Sequence, residues 1–253
     1  GGTADTVFAC ALKADGTVWC WGDNYFGQIG NDVALREDAR PVLRGDGSPL
    51  TGVIAVAGGY AHTLALKADG SVWGWGRAYR GQLGFGPVVG FENYEKLNPV
   101  QTLIANVTAI AAGADHSMAI AADRSVWGWG DNKWGELGDG TTGAGGQRRF
   151  TPVQARLAND APLTNVVALA CGARHTVAVT ADGTAWTWGA NGNGQLGDGK
   201  SSVKRLNPAP VPGLANVSSV AASWYDTYAL VSLEDGALVT DAPTVSVPEG
   251  GTA

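Results

Sequence analysis

The chain has 253 residues, 45% hydrophobic and 16% charged, with a formal net charge of −6. That apolar fraction supports a buried core and excludes a disordered polyelectrolyte. No run of lysine or arginine exceeds a dipeptide (Arg148-Arg149, Lys204-Arg205), and no apolar run approaches the roughly 18–20 residues that cross a bilayer; neither nucleic acid nor membrane insertion is expected.

The opening Gly1-Gly2-Thr3-Ala4-Asp5 has no signal-peptide pattern and reads as the start of a mature, processed or excised segment. Residues 8–20 then form a hairpin about Ala14-Asp15-Gly16, with Lys13 facing Thr17 and Cys10 facing Cys20. Directly opposed cysteines fit either a disulfide or two buried thiols. Trp19-Cys20-Trp21-Gly22 closes this hairpin and returns as Trp73 to Gly76, Trp127 to Gly130 and Trp186 to Gly189, with the second tryptophans 54, 54 and 59 residues apart. Such a period indicates a propeller or solenoid.

In the second copy, small apolar residues 53–57 predict an inner strand and His62 to Lys67 a second one. An Asp69-Gly70 hairpin turn follows, and then the tryptophan strand, with Ala65 opposite Trp73 and Thr63 opposite Trp75. After Trp-Gly comes a glycine-rich loop, in the third copy Asp131 to Gly140 with Leu137 as its plug. Pro41-Val42, Pro99-Val100 and Pro152-Val153 mark an outer strand, where proline is tolerated. Inner strands recur at 107–112, 166–170 and 217–222. The first copy lacks its inner strand and has Phe8 in the histidine place; the fifth, 217–240, lacks the tryptophans. Cys171 stands where other copies have Gly58 and Ala112, a small buried position.

Four strands per repeat, both faces apolar, describe a blade. The pattern His62-Thr63-Leu64-Ala65-Leu66-Lys67-Ala68-Asp69-Gly70-Ser71-Val72-Trp73-Gly74-Trp75-Gly76, followed by Gly81-Gln82-Leu83-Gly84, resembles the regulator of chromosome condensation repeat over nearly all of residues 7–240. The resemblance implies an all-β propeller of four-stranded antiparallel blades, seven in a full ring. About eighteen strands, four and a half blades, are counted here. Absent blades of a longer polypeptide, a small closed ring, or assembly through open faces would each account for the difference. Residues 1–240 are therefore the propeller, and 241–253 a linker or the first strand of an immunoglobulin-like or Calx-beta-type module.

His62, His116 and His175 occur once per repeat, which spaces them too far apart for a shared metal and suggests structural roles with a ring nitrogen bonded to backbone. Asp139 and Asp198 suit turns better than a calcium loop. No nucleophile triad, paired carboxylates, phosphate loop or Cys-x-x-Cys is visible, so no enzyme activity, cofactor or metal is expected. What varies within the constant frame is more informative. Tyr25-Phe26, Tyr79-Arg80 and Lys133-Trp134 precede the loop glycine, while Tyr60, Asp115, Arg174 and Trp224-Tyr225 precede the second strand. These types are enriched at binding hot spots; they suit either a protein-binding rim or caps packed on a neighbouring blade.

The expected function is non-catalytic recognition of a protein partner by a secreted or surface-displayed, bacterial-type module. Two alternatives are nucleotide exchange on a small GTPase, with 31–50 and 141–163 the only candidate wedge inserts, and structural self-assembly.

Overall fold

Asp-Gly turns fold each repeat back on itself. Gly16, Gly70 and Gly183 take φ of +77°, +78° and +78°, which glycine adopts without a Cβ clash. Asp15, Asp69 and Asp182 accept the backbone N–H of Thr17, Ser71 and Thr184. Where the third copy has Asp123-Arg124, Arg124 itself takes φ +62° and Asp123 still accepts from Ser125, so the aspartate carries this turn without glycine.

The computed structural model describes residues 7–30, 35–87, 94–142, 148–200 and 202–232. The described residues form seventeen strands in five antiparallel sheets. The first blade has three strands, β1 (Phe8–Leu12), β2 (Val18–Asp23) and β3 (Leu35–Pro41). Three complete blades follow: β4 (Val53–Gly58), β5 (His62–Lys67), β6 (Val72–Arg77), β7 (Glu95–Gln101); then β8 (Val107–Ala112), β9 (His116–Ala121), β10 (Val126–Asp131), β11 (Arg148–Gln154); then β12 (Val166–Cys171), β13 (His175–Thr180), β14 (Ala185–Ala190), β15 (Lys204–Pro210). The fifth keeps β16 (Val217–Ala222) and β17 (Thr227–Val231). This is an all-β, incomplete propeller of about four and a half blades. The third strand expected at 237–240 and the linker or module at 241–253 lie outside the described residues.

The expected registers hold: Ala65 faces Trp73, Thr63 faces Trp75, and Cys10 faces Cys20, joined to it by a disulfide. The outer strands of the three complete blades buckle at a proline, Pro99, Pro152 or Pro208. Between Gly128 and Gly130 the partner on β11 jumps from Val153 to Arg149, leaving Pro152 in the irregularity, where its missing N–H costs no ladder bond. The two inserts considered as wedges carry β3 and β11. Each is followed by a short turn closed by one bridge, Leu43 to Pro49 and Arg156 to Pro162.

The core lies between blades. Trp75, Trp129 and Trp188 are fully buried, each donating its indole N–H to a loop carbonyl of the preceding blade, Gln28, Gln82 and Glu136 respectively. With roughly 200 Å² of aromatic surface at ~25 cal/mol per Å², each ring contributes on the order of 5 kcal/mol, against about 1 kcal/mol for its hydrogen bond. Packing therefore holds the blades together and the bond sets the angle. Gly138 makes room for this insertion, since a Cβ there would lie 2.9 Å from the Trp188 Nε1. Trp21, with no preceding blade among the described residues, is 36% exposed.

The histidines act as inter-blade latches through side-chain hydroxyls, which for His62 and His116 corrects the expectation of a backbone bond; His175 also has a backbone hydrogen bond with Asp226. His62, His116 and His175 place Nε2 at 2.9, 3.2 and 2.9 Å from the hydroxyls of Ser117, Thr176 and Thr227, each on the next blade. Those hydroxyls already donate to the Gln82, Glu136 and Gln195 carbonyls, so each must accept from an imidazole protonated on Nε2. Burial pushes His62 and His116 down to about 3, keeping both neutral.

Candidate functional site

The link between inner and second strands and the loop after the tryptophan strand both open on one end of the propeller, and their variable residues meet there. The links are tied around the axis by backbone bonds from Tyr60 N to Ala114 O, Ala114 N to Ala173 O and Ala173 N to Trp224 O. Each link thus hands one variable side chain to the mouth of the central channel. Tyr60 of the second blade and Trp224 of the fifth meet with ring centroids 5.8 Å apart. Both rings line a cavity of about 620 Å³ on the rim and another of about 370 Å³ in the channel, so the pair stands between them.

Eight of the eleven rim residues singled out from the sequence line the larger cavity: Tyr60, Arg80, Asp115, Lys133, Trp134, Arg174, Trp224 and Tyr225. Tyr25, Phe26 and Tyr79 do not. Tyr25, 74% exposed, stands edge-on to Phe26 at 4.8 Å. Tyr79 and Phe26 reach the site through Arg77, whose guanidinium lies 4.5 and 5.1 Å from their rings, and Arg148 lies 4.8 Å from Tyr79. The rim is therefore an aromatic and cationic ladder running into a charged cavity.

Three charged or titratable lining residues were not singled out from the sequence: Arg77, Asp131 and Glu136. Arg77 pairs with Asp115 at 3.3 Å and Arg80 with Asp131 at 3.1 Å, each pair joining the second blade to the third. Asp115 also accepts from Gln82 Nε2. Burial raises Asp131 despite its Arg80 partner, and both Asp131 Oδ1 and Arg80 Nε are buried without a hydrogen-bond partner. The signal for Arg77 and Asp131 was their shared place after Trp-Gly, which reads Asp23, Arg77, Asp131 and Ala190 in the four copies.

Glu136 departs most from its repeats. Gln28, Gln82 and Gln195 occupy the equivalent loop place, each accepting the N–H two residues earlier, from Phe26, Arg80 and Asn193, at 2.9 Å. Glu136 makes the same bond to Trp134 N at 2.7 Å. It is 1% exposed, and burial, with Asp131 nearby, pushes its carboxyl up to about 8. At neutral pH it is chiefly an uncharged acid, the nearest mimic of the glutamine it replaces. Arg174 lies on the same wall with its guanidinium 5.6 Å from the Trp134 ring; Lys133 Nζ is 5.7 Å from that ring.

Asp139 and Asp198 are loop organisers. Asp139 accepts from Asn132, Thr141 and Arg149, and Asp198 accepts from Asn191, Lys200 and Arg205. No group of three or more metal-ligating side chains occurs among the described residues, and none of their helices is long and apolar enough to cross a membrane.

Residues 3–240 match the family model of the RCC1-like domain. Among curated proteins, the chain is 31% identical over 267 residues to the Ultraviolet-B receptor UVR8 of Arabidopsis thaliana, covering 97% of the chain and 58% of the receptor. It is 32% identical over 211 residues to the probable E3 ubiquitin-protein ligase HERC4 of Homo sapiens, covering 80% of the chain and 18% of the ligase. The solved structure of Prp20p from Saccharomyces cerevisiae, studied for its binding to Gsp1p and histones, superposes with a TM-score of 0.75 at 26% identity, over 90% of this chain and 55% of that one. The chain thus spans a little over half the length of the receptor and of Prp20p, and a smaller part of the ligase.

Proposed function

Because the chain belongs to the RCC1-like domain family, we propose that it is a non-catalytic protein-interaction module whose contact face is the rim bearing the charged cavity. One observation supports this reading: eight of the eleven residues that vary while the blade repeats line one concave site, whereas the constant Trp75, Trp129 and Trp188 and the histidines are taken up by packing between blades. Prp20p is a relative that binds proteins. The Cys10–Cys20 disulfide supports an oxidising compartment and hence secretion or surface display.

A photo-crosslinking amino acid at position 134, compared with one at Trp127 on the tryptophan strand, tests the reading with partner proteins in their native mixture. Crosslinks should form at 134, and Trp134→Ala, or Tyr79→Ala with Arg80→Ala, should weaken capture at least tenfold with the circular dichroism unchanged. Capture unaffected by all three substitutions refutes the rim assignment. Exposure of Tyr228 and Leu230 on β17 favours a second reading, association through open blade faces. Sedimentation at 25.9 kDa across micromolar concentrations rejects it.

A further inference from the structure

The rim cavity is not electrically neutral, and its imbalance names a ligand class. Arg77 and Arg80 are matched by Asp115 and Asp131. Neither Lys133 nor Arg174 forms a salt bridge among the described residues; both lie against the Trp134 ring, and the Arg174 charge acts on the buried Glu136 carboxyl. The excess is therefore positive, on a chain whose net charge is −6. A volume of about 620 Å³ falls in the range of preformed ligand clefts, about 300–1,000 Å³. It admits a few side chains of an inserted loop and no whole domain.

We propose that this cavity receives the acidic side chain of a partner protein's loop, with Arg174 and Lys133 meeting its carboxylate, Glu136 forming the wall behind, and Trp134 covering its aliphatic stem. The proposal rests on the rim being the contact face, and adds the chemistry it selects. Arg174 is the natural anchor, because a guanidinium grips a carboxylate through two parallel N–H bonds. Glu136 favours this ligand only while it holds its proton, when its hydroxyl can donate and no charge repels. The charged and titratable groups lining the cavity around it are Arg77, Arg80, Asp115, Asp131, Lys133 and Arg174, with Tyr60 and Tyr225. Glu136, near 8, changes charge between pH 7 and 9. Acid binding should therefore weaken about tenfold over that interval. The unpartnered Asp131 Oδ1 could instead attract a cation, but a cation there would stand beside Arg80 and among the other three.

The experiment is selection of randomised, end-blocked peptides on the full chain, followed by affinity measurement of the enriched pool. The expected pool carries Asp or Glu at one position. Changing that residue to Asn or Gln should cost at least tenfold, as should Arg174→Ala. Glu136→Gln, measured at both pH values, should abolish the weakening between pH 7 and pH 9. Free glutarate as competitor separates the peptide from a carboxylate alone: millimolar glutarate displacing the pool completely overturns the protein-loop source. A basic or neutral pool that still depends on Trp134, or no enrichment, overturns the acidic preference and leaves the rim reading standing. A pool indifferent to both Trp134→Ala and Arg174→Ala overturns the rim reading itself.

Discussion

Replacing Glu136 by Gln should stabilise the protein in a way that depends on pH. In the folded chain the Glu136 carboxyl is buried and pushed up to about 8; its ordinary value is 4.5. Between these values the folded state holds a proton that the unfolded chain has released, so folding stability falls as pH rises from 4.5 to 8. At pH 7 the interval from 4.5 is 2.5 pH units, and at 1.36 kcal/mol per unit the wild-type chain forgoes about 3 kcal/mol. Glutamine keeps the bond to Trp134 N and pays no such penalty, as Gln28, Gln82 and Gln195 do in the sister loops. The variant should gain about 3 kcal/mol at pH 7 relative to its difference at pH 4, or roughly 6–12 °C in Tm for a domain of this size. Chemical denaturation of both proteins at half-unit steps from pH 4 to 8.5 reads this directly, because other titrating groups cancel in the difference. A difference that stays flat with pH, or favours glutamate as pH rises, refutes the assignment of a neutral buried acid.

Two further outcomes test the frame. His62 is depressed to about 3 by burial, so its contribution to stability is complete above 6.5 and is lost as pH falls towards 3; His62→Gln should reduce the slope of unfolding free energy between pH 4 and 6 by about 1.4 kcal/mol per unit, and an unchanged slope would show that the ring is protonated in the native latch. Gly113→Ala should cost about 3 kcal/mol or more in urea unfolding, because the new Cβ would lie 2.1 Å from His116 Cε1 and 2.6 Å from the Gly172 carbonyl oxygen of the next blade; a loss below 1 kcal/mol would mean that the link moves freely.

The blade was legible in the sequence because its determinants are local and repeated. Asp-Gly turns, alternation on both sides and Trp-x-Trp-Gly set the strand pairs, and a register read from one hairpin held in the rest. The rim was legible only as a list, since variation shows which residues the blade does not need and says nothing of where they meet. Arg77, Asp131 and Glu136 escaped because each looks like an ordinary substitution within a repeat. Glu136 in particular differs from its sister glutamines by one atom type, and becomes unusual only once burial removes the water that would ionise it.

The sequence by itself thus determined the fold class, the copy number, the unmatched first and last copies, and the opposition of Cys10 and Cys20, all set by spacing along one chain. Tertiary structure alone decided how blades join and what the rim can hold. The histidine latches span 52 to 60 residues, and the ion pairs and the Tyr60–Trp224 contact cross between blades. Charge balance and burial in the cavity arise from side chains brought together by curvature of the ring, a property that no single repeat contains.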